Sequence, residues 1–456
     1  MPTPTTQLTP RTRDLTPPSP ALTLTAALLG FALITLDASV VNVALPSIGD
    51  ALGGGMSGLQ WVVDAYTLSF AALMLSTGAF ADRAGASRAY AIGIAVFTLA
   101  SAACGLAPNL PTLIAARVLQ GVAAAVVLPA SLSLVRQAYP EPAKRARAVA
   151  TWAAGGSIAV ALGPVAGGAL TTAWDWRGIF FINLPLGAVA LALLIRSPRS
   201  ERRPAPLDLP GQVLAVVALT AVTFAVIEGG TTGVVAVLIA LAAGALFVRV
   251  ELRQAHPVVP LGLFRSRTVS VAVAAGAACS VAFYGVVFLF SLFFQQIQGR
   301  SALYAGLMFL PMAALISVTN IVSGKLAGRY GARLPMLIGQ LLAGAGALGL
   351  LYVDEHTPPL LVAALLVPMA LGCALTVPPL TAVMMDAVPA ERAGLAAGVL
   401  NSARQVAGGL GIAVFGALVS DGFTTGLRES LAISAALFAV TASLSFRLSG
   451  RPANSP

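Results

Sequence analysis

With 456 residues, 57% hydrophobic and only 10% charged, the chain has more apolar surface than one or two soluble cores could bury, since globular proteins average about 25% charged residues. The charged positions fall in short intervals between apolar runs of roughly 18 to 27 residues, a spacing set by a bilayer. Soluble enzymes, secreted disulfide scaffolds and nucleic-acid binders are excluded, and the net charge of +10 calls for a membrane explanation first.

Residues 1–20, rich in Pro and Thr, read as a disordered tail. The apolar run after Pro20 is too long for the core of a cleaved signal peptide. Fourteen spans follow, at 22–45, 59–81, 89–107, 112–135, 147–170, 178–195, 209–228, 233–250, 268–294, 303–326, 334–352, 359–385, 393–420 and 429–447. Helices are the expected element, because these runs are twice the length of a barrel strand and lack its alternation. Cys104, Cys279 and Cys373 each lie inside an apolar run and His256 and His356 lie in connections, so neither a disulfide framework nor a metal site is expected.

Lys and Arg set the orientation, because cytoplasmic loops retain them. One alternating set of intervals holds 22 of the 27 basic residues, among them Arg83 and Arg88, Arg199 to Arg203, and Lys325 to Arg333. The opposite set holds Arg177, Arg300 and Arg428, while Arg117 and Arg404 lie within spans. A multi-pass protein of the cell membrane with both termini in the cytoplasm is expected.

The chain also repeats itself weakly. Gly78 to Arg88 is echoed by Gly324 to Arg333, with the glycines 246 residues apart, and Pro140-Glu-Pro-Ala-Lys-Arg-Ala is echoed by Pro389-Ala-Glu-Arg-Ala. Six spans occupy about 175 residues, so such an offset leaves room for two unduplicated helices. The expected organisation is a tail (1–20), a six-helix half (21–203), two inserted helices (204–254), a second six-helix half (255–448) and a short tail (449–456). Duplicated helical halves around a midplane site are a transporter architecture.

Several segments resemble the major facilitator superfamily, specifically its fourteen-span drug/proton antiporter branch. They are Leu36-Asp37-Ala-Ser-Val-Val-Asn42-Val-Ala-Leu-Pro46, the Gly78 to Arg88 loop, Arg117-Val-Leu-Gln120-Gly121, Gly163-Pro164-Val-Ala-Gly167-Gly168 and Trp174 to Pro185. Trp61-Val-Val-Asp64-Ala-Tyr66 and Val399-Leu-Asn401-Ser-Ala-Arg404-Gln405 are similar to stretches of methylenomycin A resistance proteins. The resemblance implies a major-facilitator fold of fourteen spans, all α, and a latch at Asp82, Arg83 and Arg88 that holds the halves in the outward-facing state.

Asp37 lies about nine residues before Pro46, roughly 13 Å below the outer end of its helix. Asp64 and Arg117 also fall in the outer half. A lone charge at such depth costs about 2.5–3.5 kcal/mol, so each should face a partner or a wet cavity. Two readings stand side by side: a fixed Asp–Arg pair that ties spans 1, 2 and 4 together, or a carboxylate whose proton affinity changes as the arginine moves. Asn42, Gln120, Asn401 and Arg404 are candidates for the substrate cavity. Arg404 could equally bond helix-end carbonyls. Gly155, Ala159, Gly163 and Gly167 recur every four residues and form a ridge without side chains, and Pro164 leaves the Val160 carbonyl without its helical donor. Glycine spacing alone fits plain packing, but with the proline, and in the first half only, the stretch resembles the family's antiporter motif, which implies a gating role for Gly163, Pro164 and Gly167. Gly344-Ala-Gly346-Ala-Leu-Gly349 matches a dinucleotide fingerprint, yet it lies within a span with no preceding strand and reads as helix packing.

No Walker loop, His-Glu-x-x-His or nucleophile elbow appears, so neither an enzyme nor an ATP-driven pump is expected. No cofactor is implied, and the proton gradient would supply the energy. The reading is proton-coupled export of a small hydrophobic or amphiphilic compound of antibiotic type. Its partners would be that substrate, protons and the lipid bilayer, with no nucleic acid and no obligate protein. The alternatives are a metabolite or amino-acid exporter, and a membrane-embedded sensor or enzyme. Reporter fusions placed after Arg203 and after Arg267 are expected to signal cytoplasm at both points. An external signal at either would remove 209–250 as a crossing pair.

Overall fold

Lipid offers the backbone no hydrogen-bond partners, so runs of this length must satisfy their own N–H and C=O groups as helices. The computed structural model describes residues 19–195, 208–254, 257, 259–388, 393–420 and 422–447. The first helices are α1 (Pro20–Leu52), α2 (Gly55–Ala84), α3 (Ala86–Gly105), α4 (Leu110–Ala138), α5 (Pro142–Ala173), α6 (Gly178–Phe181) and α7 (Asn183–Leu194). A hairpin of α8 (Leu209–Glu228) and α9 (Gly230–Glu251) follows. After it come α10 (Arg267–Leu292) with a π turn at Phe293–Ile297, α11 (Ala302–Met308), α12 (Leu310–Tyr330), α13 (Arg333–Leu350), α14 (Pro359–Asp386), α15 (Ala393–Ser420) and α16 (Phe423–Phe446). Expectations for the two tails, for Arg196 to Arg203, and for His256, Arg392 and Arg451 concern positions outside the described residues.

Twelve helices among the described residues are long and apolar enough to cross a membrane, where α10 with its π turn and α11 with α12 each count once. Of the fourteen expected spans, 59–81 lies in the 30-residue α2, which is not in that set, and 178–195 is a shorter apolar stretch, Gly178–Leu194. That stretch is broken between α6 and α7. Pro185 has no N–H to give the Phe181 carbonyl, and the break falls at that point. Pro311 acts in the same way near Phe309, where α11 ends before α12 begins.

The helices pack as two groups. In the first, α1 lies on α5 and α7, and α4 lies between α2 and α3; in the second, α14 packs on α13 and α12, and α15 on α10 and α16. Ala26 and Tyr90 meet near one face, and Arg333 bonds the Phe446 carbonyl there, so the described chain begins and ends on the same face. We call it the terminal face and the opposite one the distal face. Direct bonds between the groups gather toward the distal face. Gln60 Nε2 donates to the Ala413 carbonyl at 2.6 Å, Ser291 Oγ to the Asn42 carbonyl at 2.7 Å, Gln295 Nε2 to the Val43 carbonyl at 2.9 Å, and the Leu303 amide to Thr172 Oγ1 at 3.1 Å. Near the terminal face, a Cβ added to Gly78, Gly324 or Gly328 would meet nothing within 4 Å. The cleft between the groups is closed at its distal end.

Two prolines inside the helices have their freed carbonyls answered by a hydroxyl from a neighbouring helix of the same group. Pro129 leaves the Ala125 carbonyl without its i+4 donor, and Thr77 Oγ1 of α2 donates to that oxygen at 2.6 Å. Pro379 does the same to Leu375, whose oxygen accepts from Ser323 Oγ of α12 at 2.6 Å. Thr77 and Ser323 stand 246 residues apart, the spacing of Gly78 and Gly324. Each group thus carries one copy of the same bracket. Thr77→Ala and Ser323→Ala are each expected to lower stability by about 0.6–1.7 kcal/mol, the range of side-chain hydrogen bonds within membranes. Thermal unfolding in detergent reads this, and unchanged midpoints for both would show that the freed carbonyls need no partner.

Candidate functional site

Asp37 and Arg117 are both fully buried, and Arg117 Nη1 lies 2.5 Å from Asp37 Oδ2. The rest of the carboxylate is also bonded. Asp37 Oδ1 accepts from Asn183 Nδ2 of α7 at 2.8 Å and from Gln120 Nε2 of α4 at 3.2 Å. Asn183 and Gln120 both donate to Ser101 Oγ of α3, at 2.8 and 3.0 Å, and Ser101 donates to the Phe180 carbonyl at 3.0 Å. Arg117 Nε reaches the Val62 carbonyl of α2 at 3.0 Å, and its guanidinium carbon sits 4.3 Å from the centre of the Tyr66 ring, a cation–π contact. Tyr66 is held in turn by its bond to the Ile34 carbonyl at 2.9 Å.

Such density is what a buried ion pair requires. Taking two charges out of water costs several kcal/mol each, and their mutual attraction offsets this only when the remaining lone pairs and protons are bonded as well. Two buried atoms in the network have no hydrogen-bond partner, Arg117 Nη2 and Asn183 Oδ1. It therefore retains one donor and one acceptor to offer.

Asp64 is placed differently. Although fully buried, it is not part of the Asp37–Arg117 pair, and neither carboxylate oxygen has a hydrogen-bond partner. A Cβ on Gly409 of α15 would come within 3.3 Å of Asp64 Oδ1, so the side chain faces the seam between the two groups. A charge at this depth is expected to meet a partner or a wet cavity; the structure instead buries the carboxylate in the seam, where the missing side chain of Gly409 makes room for it.

The remaining candidates spread along the cleft. Asn42 is buried, donates to the Ala38 carbonyl at 3.3 Å and leaves its Oδ1 without a partner. Gln120 belongs to the Asp37 network. Asn401 is half-buried. Arg404 packs its stem against α10, where a Cβ on Gly276 would lie 3.1 Å from its Cγ, and its buried Nε has no partner. It is close enough to Cys279, Cys373 and Tyr284 to act on them electrostatically. Arg83 and Arg88 are exposed on the terminal face, while the Asp82 side chain lies outside the described residues.

The ridge on α5 is filled by α1. A Cβ on Gly163 would fall on Ser39 Oγ, and one on Gly167 would come within 2.6 Å of the Val40 carbonyl. The next glycine faces the other way. A Cβ on Gly168 would strike the Ala302 carbonyl of α11, and one on Gly306 the Pro164 carbonyl, so α5 meets α1 on one side and the second group on the other. An apolar groove of about 440 Å³, walled by Leu28, Leu36, Gly155 and Leu162, runs beside the α1–α5 contact.

Comparison with known proteins adds a decisive match: residues 27–412 fit the family model described as Major Facilitator Superfamily. The chain belongs to the major facilitator superfamily. It is 41% identical over 418 residues to the multidrug resistance protein Stp of Mycobacterium tuberculosis, covering 90% of this chain and 78% of that one. With the methylenomycin A resistance protein of Streptomyces coelicolor it shares 38% identity, covering 87% of this chain and 85% of that one. Among solved structures, a D-xylose–proton symporter superposes with a TM-score of 0.70 at 14% identity, covering 94% and 97% of the two chains. At that identity the likeness speaks for the fold alone. As a member of the superfamily, the chain is a multi-pass membrane transporter of small molecules, and not an enzyme.

For a major facilitator protein the sequence marks the charged residues readily and their neutral partners poorly. Ser101 and Asn183 carry the Asp37 network, yet each is a single uncharged polar residue in an apolar run. Their one sequence signal is the cost of burying an amide or hydroxyl without a bond. Gly163→Leu is expected to abolish transport while leaving membrane insertion intact, because the added side chain must push α5 away from Ser39 and Val40. Resistance conferred on cells, compared at matched membrane levels, measures this, and full resistance would reduce the ridge to ordinary packing.

Proposed function

We propose that this protein exports a small hydrophobic or amphiphilic compound of antibiotic type in exchange for protons. The observation that carries the reading is the buried Asp37, whose donors come from α4 and α7 while it sits on α1. Any movement of those helices against one another changes what surrounds the carboxylate, and a carboxylate trades a proton across a membrane only if its surroundings differ between two states. The names of the relatives, resistance and efflux proteins, favour export of toxic compounds over uptake. The half-buried Arg404, with an unpartnered Nε, suits a carbonyl or acidic group on the substrate.

The reading includes fourteen crossings, the twelve long apolar helices together with α2 and the broken α6–α7 segment. Six-helix halves at 21–203 and 255–448 flank an inserted pair at 204–254, and the basic terminal face is cytoplasmic in the cell membrane. The closed distal end then faces outward and the cleft opens to the cytoplasm. Asp37 and Arg117 couple protons, and Asp64 is the second carboxylate in reserve. Asn42, Gln120, Asn401 and Arg404 belong to the path of the substrate. Asp82, Arg83 and Arg88 would latch the halves when the cleft faces outward, with Gly163, Pro164 and Gly167 as the bearing on which α5 moves.

Asp37→Asn is expected to bind substrate but not drive it against a gradient, and Asp37→Glu to keep partial activity. Arg117→Lys keeps the charge but loses the planar fork, and is expected to weaken coupling. Transport driven by a pH gradient in proteoliposomes checks all three. Exchange by Asp37→Asn at near wild-type rate would make Asp37 structural and move the coupling role to Asp64.

A further inference from the structure

Pro46 interrupts α1 near its distal end. Because proline has no N–H, the carbonyl four residues earlier, that of Asn42, loses its helical donor. In this structure the missing donor comes from the other group of helices, as Ser291 Oγ bonds the Asn42 carbonyl at 2.7 Å. Gln295 Nε2 bonds the adjacent Val43 carbonyl at 2.9 Å and also touches Ser291 Oγ at 3.2 Å. Gln295 stands in the π turn that ends α10, where Gln298 N bonds the Phe293 carbonyl at 3.0 Å in place of the tighter α pattern. Widened turns of this kind are rare and often mark working sites.

The brackets at Pro129 and Pro379 use the same chemistry within one group, where helices travel together. The bracket at Pro46 alone among these three joins α1 to α10 across the cleft. When the groups part at the distal end, Thr77 and Ser323 keep their carbonyls, whereas Ser291 and Gln295 must release theirs. The released oxygens then face the water that enters the opened cleft, which supplies the lost bonds. In the closed state Ser291 is fully buried and Asn42 nearly so, so no water competes. We infer that Ser291 and Gln295 are gating residues of the transport cycle: they hold the distal end of the cleft shut by bonding the carbonyls beside Pro46, and their release is part of opening. This rests on the transport reading only in that the distal end must open at some stage.

Opening can be timed without substrate or gradient. Ala302, buried at 7% exposure, belongs to the α5–α11 part of the distal seal, and the three native cysteines are buried. In detergent-purified full-length protein, the thiol introduced by Ala302→Cys should react with a hydrophilic maleimide in proportion to the distally open population, however small. Ser291→Ala with Gln295→Leu is expected to raise that rate about tenfold, as loss of two modest hydrogen bonds allows. Ser291→Thr with native Gln295 keeps a hydroxyl donor and should stay within twofold of the parent. Thr77→Ala with Ser323→Ala removes two equivalent bonds inside the groups and should also stay within twofold. An unchanged rate in the folded Ser291/Gln295 variant, or an equal rise in the Thr77/Ser323 variant, would overturn the inference. Neither result depends on what is exported or on proton coupling.

Discussion

Two opposite charges sealed away from water are stable only when their remaining lone pairs and protons are bonded as well, and the first group of helices is arranged around one such pair. Asp37 is met by a guanidinium and two amides, and those donors are themselves held by Ser101, Tyr66 and the Val62 carbonyl. The chain of bonds fixes α1, α2, α3, α4 and α7 against one another at a single depth. The second group has no counterpart among the described residues. Its buried-facing cation, Arg404, lies within electrostatic reach of thiols and a phenol, so the two groups of helices carry unequal chemistry.

The backbone sets the second constraint. With lipid as solvent, helices gain little from burying apolar side chains against each other, so close approach depends on small residues and on carbonyls made available by proline. Gly163 and Gly167 let α1 settle on α5, and Gly168 with Gly306 bring α11 to the opposite side of α5. Where glycine permits contact and proline exposes an acceptor, a neighbouring hydroxyl can hold two helices together without any ionised group. Such joints can be made and broken with little desolvation of charge, which suits a molecule whose halves must move.

Much of this arrangement is legible in the sequence because its signals are strong: long apolar runs, basic loops on alternate sides, and acids or arginines where hydrocarbon should be. That Arg117 meets an acid of the outer half follows from opposite charges at similar depth, but that the acid is Asp37 rather than Asp64 is settled by the packing. The amide partners of Asp37 do not follow in this way, since an asparagine or serine in a helix costs too little to announce itself. The break within 178–195 was signalled by Pro185, whose effect reaches back to the Phe181 carbonyl, but apolarity alone joined the two pieces. Asp64 shows the reverse limit. Its depth is readable, yet that it would face Gly409 across a seam depends on which helices the fold brings together, and no local pattern encodes that.

The α8–α9 hairpin gives the molecule a front and a back. Glu228 at one end of α8 takes bonds from Trp61 and Ser57, and Gln212 near the other bonds the Ala72 carbonyl and Ser76, so the helix is pinned along α2. It also touches α15, and it therefore lies over the line where α2 and α15 meet. The matching line where α5 meets α11 and α12 has no such cover among the described helices. Acyl chains press directly on one seam and reach the other only through α8, so lateral pressure and bilayer thickness act on the two sides of the cleft unequally, as on a door hung from one edge.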